Sequence, residues 1–152
     1  MLEQAADFHQ KHLDRVSRSF AFGISRLELP LRVSVGLSYL LCRVLDTVED
    51  SSWPSGDAQI ESFKKFDSFL LARPNGPSKQ DIDLWQSSFP AGIPDAEVAL
   101  LKESHRLFEE LHQLSDEEYR AVTEPVKSMS AGMQYFAHVS RKRGELRISS
   151  LR

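Results

Sequence analysis

Chemistry-bearing residue types meet in one segment, Tyr39-Leu40-Leu41-Cys42-Arg43-Val44-Leu45-Asp46-Thr47-Val48-Glu49-Asp50. If it is helical, steps of four, three and four place Tyr39, Arg43, Asp46 and Asp50 on one face of an otherwise almost wholly apolar rod. Three acids crowd its last turn. There they oppose the helix dipole and repel one another, each effect costing a few tenths to about 1 kcal/mol, where stability alone would favour Lys or Arg. Two carboxylates one turn apart suit a hard divalent cation that takes oxygen ligands and keeps waters, and Mg²⁺ is the natural candidate. Because Mg²⁺ is usually shared with substrate phosphates, a phosphate-bearing ligand follows, with Arg43 able to give it a bidentate contact. The spacing leaves a second reading equally open, in which Asp46 and Asp50 are solvated end residues and Arg43 is their intrahelical partner.

A long helix must carry that line, and the surrounding chain reads as helical nearly throughout, so the fold class is all-α. The pattern predicts a first helix from Glu3 to about Val16. A short second one, capped by Ser17 or Ser19, runs through Phe20, Phe22 and Ile24. Pro30 opens the long helix from Leu31 to Asp50, and the breakers from Ser51 to Gly56 end it. A fourth helix begins near Asp57 with Ile60, Phe63, Phe66, Asp67 and Leu70 along one side. Residues 73–94 form a long connection, either a surface loop or one holding a short helix around Gln80–Trp85, anchored by Trp85 and Phe89. One helix then runs from Pro94 to Leu114. Ser115 and Glu118 form a capping-box pattern opening the last, whose apolar side is Tyr119, Val122, Val126, Met129, Met133 and Phe136. Pro125 should kink it or move its start to Thr123.

The 152 residues are 41% hydrophobic and 27% charged, as in an ordinary globular domain, and the whole chain is read as one helical domain over 1–152. One cysteine, Cys42, excludes an internal disulfide and reads as a small core residue. A formal charge of −3 argues against nucleic-acid binding, and the basic tail, five Lys and Arg against one acid in residues 141–152, reads as solvated. The longest apolar stretch, Leu27 to Val48, is interrupted by Glu28, Arg32 and Arg43, so it reads as a core helix rather than a membrane span. No secretory signal is visible in the first residues. The five histidines, His9, His12, His105, His112 and His138, lack the partner ligands of a zinc site.

Ser17-Arg18-Ser19-Phe20, followed by an apolar helix carrying Tyr39-x-x-x-Arg43-x-x-Asp46-Thr47-Val48-Glu49-Asp50, resembles the first part of the squalene/phytoene synthase family. The Asp-Thr-Val-Glu-Asp string is most similar to its squalene synthase branch. Met129-x-x-Gly132-Met133-x-x-Phe136 is similar to the family's helix preceding its second aspartate motif. The resemblance implies a helical bundle of the isoprenoid synthase type around a central cavity, truncated here to an N-terminal portion. It implies a Mg²⁺-dependent prenyltransferase joining two prenyl diphosphates, farnesyl or geranylgeranyl, head to head to products of the presqualene diphosphate, squalene or phytoene type. Asp46 and Asp50 would hold Mg²⁺. Ser17, Arg18, Ser19 and Arg43 would contact diphosphate oxygens, while Phe20, Tyr39, Gly132, Met133 and Phe136 would line the prenyl pocket. NADPH enters if squalene is the product, although no Gly-rich dinucleotide turn is present. A cytoplasmic location follows, with peripheral association at a membrane through the lipid product.

The chain departs from the family in carrying no second aspartate pair before Arg152. Asp116, Glu117 and Glu118 stand at a helix start, where acids are expected for capping. The alternative to an enzyme is therefore a non-catalytic helical fragment or binding module that retains half of a diphosphate site.

Overall fold

The computed structural model describes residues 2–150, with side chains to residue 140 and at Lys142; the rest of the basic tail lies outside the described side chains. Among the described residues there are eight helices and no strand. Helices α1 (Leu2–Val16) and α2 (Arg18–Ile24) meet at Ser17, which holds the N-cap position without its hydroxyl accepting a backbone bond; Ser19 lies inside α2. Helix α3 (Leu29–Asp50) starts two residues earlier than predicted, with Pro30 in its first turn, where the missing N–H costs no hydrogen bond. Ser55 caps α4 (Gly56–Leu70), its Oγ accepting from the Ala58 N–H at 3.1 Å. The long connection does hold a short helix, α5 (Lys79–Ser87), capped by Ser78.

The single helix expected after Pro94 is two, α6 (Asp95–Lys102) and α7 (Ser104–Gln113). At the break the Ser104 hydroxyl donates to the Leu101 carbonyl at 2.7 Å, a local bond that competes with the helical ladder. Glu103, freed at the same corner, faces Lys11 and His12 of α1. Helix α8 (Asp116–Ser150) begins at the predicted box, where Ser115 Oγ accepts from the Glu118 N–H and donates to its carboxylate. Pro125 does not move that start. The helix runs through it because Pro125 and Ala121, whose carbonyl loses its partner, both lie on the exposed side within reach of water.

Helix α3 is the axis of the bundle. Its Leu37, Leu40, Leu41, Val44, Leu45 and Val48 are buried, and α1, α2, α4, α6, α7 and α8 all pack against it. Burying each such aliphatic side chain contributes about 1.5–3 kcal/mol. Its most extensive contact is with α1, where Gly36 allows close approach: a Cβ there would lie 2.8 Å from His9 Nδ1. Phe63 and Phe66 of α4 and Phe108 of α7 are fully buried, as the α4 pattern predicts, and Trp85 and Phe89 anchor α5 with ring centroids 4.9 Å apart. The predicted stripe of α8 is buried at Val122, Val126 and Met133, but Phe136 is 69% exposed.

Candidate functional site

The acid-laden end of α3 persists because its last carbonyls are satisfied by neutral donors rather than by cations. The Thr47 carbonyl accepts from the Ser51 N–H at 3.1 Å and its hydroxyl at 2.5 Å, while Trp53 Nε1 donates to the Val48 carbonyl at 2.7 Å. Gln59 Nε2 reaches across from α4 to the Glu49 carbonyl at 3.0 Å. With the backbone capped this way, Arg43 is, among the described residues, the one cation paired with the carboxylates of Asp46, Glu49 and Asp50.

Arg43, Asp46 and Asp50 line one pocket of about 130 Å³, together with Thr47 and Ser51 of the same helix end and Ile93, Pro94 and Glu97 from the start of α6. Arg43 Nη1 stands 3.8 Å from Asp46 Oδ2. Its Nη2 donates to Glu97 Oε1, and its Nε is buried without a partner. Burial raises the proton affinity of the Asp46 carboxyl; Arg43 opposes this and Asp50 adds to it. Glu49 is raised too, by burial and then by Asp50 and Asp46. A line of like charges that resists ionisation is what a bound cation relieves.

The donor set fits Mg²⁺ of the shared kind. Among the described residues no three His, Cys, Asp or Glu side chains converge as metal ligands, so the protein would supply Asp46 and Asp50, and water and phosphate oxygens the remainder. The pocket has room for a cation with several waters.

The other predicted residues lie outside this pocket. Phe20 stacks on Tyr39, one turn before Arg43, with centroids 4.5 Å apart and planes 26° from parallel. Phe20 is more than half exposed, Arg18 and Ser19 are exposed, and Ser17 is half-buried. On α8, Gly132 is exposed with open space where a Cβ would project, and Met133 is in the core. Glu97 escaped sequence reasoning: an acid three residues after Pro94 reads as an ordinary first-turn residue. Two of the histidines are buried against carboxylates, with His9 Nε2 2.9 Å from Glu110 and His12 Nε2 3.1 Å from Glu103, while His138 is exposed.

A profile of the squalene/phytoene synthase family matches residues 13–148. The chain belongs to this family. Among its relatives, the squalene synthase of Saccharomyces cerevisiae is 33% identical over 122 residues, 80% of this chain and 25% of that protein. The human squalene synthase is 40% identical over 60 residues, 40% of this chain and 14% of that protein. A solved structure described as TcSQS in complex with a ligand, BPH1237, superposes with a TM-score of 0.66 at 26% identity, covering 88% of this chain and 36% of that one. The bundle is thus of the all-α isoprenoid synthase type seen in squalene synthases. The chain spans about a quarter of the length of the yeast relative. Among the described residues, no helix is long and apolar enough to cross a membrane.

Proposed function

We propose that this chain forms the diphosphate-binding wall of a head-to-head prenyltransferase of the squalene/phytoene synthase type. The observation that carries the proposal is the convergence of Arg43, Asp46 and Asp50 on one pocket in a member of that family. Asp46 and Asp50 hold Mg²⁺, with farnesyl or geranylgeranyl diphosphate as the ligand. When bound, the ion neutralises charge that develops on a departing diphosphate. Arg43 orients the same group through its planar fork, and the Thr47 and Ser51 hydroxyls line the floor. Tyr39, with Phe20 stacked on it, offers an aromatic face next to the helix turn where an allylic chain would leave the pocket. Such faces stabilise positive charge without quenching it.

Calorimetry with inorganic pyrophosphate tests the site directly. Mg²⁺ should strengthen binding to the 152-residue chain by about tenfold or more, and Asp46→Asn should weaken the Mg²⁺-supported binding by a similar factor, the loss of one charged ligand. Binding that Mg²⁺ does not strengthen, or an unchanged affinity in Asp46→Asn, would overturn the assignment.

A second reading is favoured by the 69% exposure of Phe136 and by both candidate metal ligands, Asp46 and Asp50, coming from α3. In it the chain binds diphosphate without turning it over. Retained pyrophosphate binding with no release of diphosphate from farnesyl diphosphate would select it.

A further inference from the structure

We infer that Glu97 is a positioning residue for Arg43 and a placeholder for the incoming anion, an inference that rests on the diphosphate reading above. Arg43 spans the gap between α3 and α6, and its outer Nη2 is occupied by Glu97 Oε1. The pair is largely enclosed, with side-chain exposures of 26% for Arg43 and 16% for Glu97. The opposite amino group, Nη1, leans towards Asp46 at 3.8 Å, and Nε has no acceptor. The guanidinium therefore stands between two carboxylates that line the same pocket, with one donor of the fork that would grip a phosphate already holding Glu97.

Two consequences follow from charge alone. An anion that grips Arg43 through Nη2 has to displace Glu97 from it, so Glu97 competes with a bidentate ligand for that donor. Glu97 also adds a third carboxylate to the walls, which disfavours a bare anion and favours one arriving with a cation. Glu97 thus makes the site selective for metal-complexed over free diphosphate. At the same time it keeps Arg43 extended rather than folded back along α3. Its place in the first turn of α6 fixes this competitor on a packed element and not on a loop.

The test is calorimetric titration of the 152-residue chain with inorganic pyrophosphate, with and without Mg²⁺. Without metal, Glu97→Gln should bind about threefold to tenfold more tightly than the unmodified chain, the range expected when a half-buried ion pair is released. Asp95→Asn removes a charge from the same first turn of α6, on an exposed residue outside the pocket, so it should change the affinity less than about twofold. In a Glu97→Gln background, Arg43→Met should cancel the gain, which a merely structural role for Glu97 would not produce. If Glu97→Gln matches Asp95→Asn or binds more weakly, while the unmodified chain binds more tightly with Mg²⁺ and Asp46→Asn weakens that binding, the Glu97 inference alone falls. If the unmodified chain does not bind with Mg²⁺, the diphosphate reading falls and takes Glu97's role with it. Thermal melts of each variant identify any that fails to fold. For such a variant Glu97→Asp replaces Glu97→Gln: its shorter arm should also tighten metal-free binding, and an unchanged affinity counts against the inference.

Discussion

Cys42 lies one turn before Asp46 on α3, and the two side chains share an environment that disfavours negative charge. Burial, and then the Asp46 carboxylate, push the Cys42 thiol up to about 11. At pH 8 this leaves roughly a hundredfold less thiolate than an ordinary cysteine carries, and the thiolate is the reactive form. A disulfide reagent should therefore label the native chain roughly a hundredfold more slowly than the urea-unfolded chain at pH 8. Equal rates would show Cys42 to be outside the core and would weaken the account of Asp46 as well. The line Tyr39, Arg43, Asp46, Asp50 was legible from spacing alone, because a helix converts sequence separation into direction. What Arg43 touches was not legible. Asp46 and Glu97 compete for it from elements 51 residues apart in sequence, and no local rule connects them.

Helices α4 and α8 are joined by polar side chains as well as by the apolar stripe. Ser130 donates to Asp67 Oδ1 at 2.6 Å, and Gln134 Nε2 donates to Asp67 Oδ2 at 3.0 Å. Ser130 is fully buried, so removing the acceptor strands its hydroxyl. Asp67→Ala should cost about 1–3 kcal/mol in urea unfolding, the penalty for an orphaned buried donor; a loss below about 0.5 kcal/mol would show the clasp to be idle. Sequence patterning placed Asp67 on the inward side of α4 with Phe63 and Phe66, but only α8 reveals why a carboxylate belongs there. The break at Glu103 shows the reverse case. Periodicity continued from Val98 to Leu111, so one helix was expected, and a single serine-to-carbonyl bond with a tertiary role for Glu103 interrupted it.

Taken as a unit, the bundle carries buried histidines whose titration sets its response to acid. His12 and His112 both have lowered proton affinity. Burial is the first cause in each, opposed by the Glu103 carboxylate for His12 and by the Phe69 carbonyl for His112. The unfolded chain binds protons at these sites from their ordinary value of 6.5 downward, while the folded chain refuses them until lower pH. Stability should therefore fall as the pH drops through the 6.5 region. Glu103, lowered chiefly by its hydrogen bond from Lys11, adds a further loss as the pH passes below its ordinary 4.5. Asp46 and Glu49, both raised, act with the opposite sign and regain stability once protonated. Thermal melts should give a lower Tm at pH 5.5 than at pH 7.5, and His12→Gln should flatten that slope; a Tm that rises on acidification would refute the assignment.

Sequence by itself determined the all-α class, the helices other than α5 and the α6–α7 break, the core faces of α3 and α4, and the carboxylate line, because each depends on periodicity and capping within a few residues. It also carried the family resemblance, since each motif of that resemblance is a short run, at residues 17–20, 39–50 and 129–136. Only the tertiary structure decided which charges meet across helices: Glu97 on Arg43, Glu103 on Lys11 and His12, Asp67 under Ser130. It decided as well that Phe136 stays in solvent while Met133 is buried. Periodicity gives every member of a stripe the same direction. Which of them other helices cover depends on how those helices are placed, and that is a property of the packed chain.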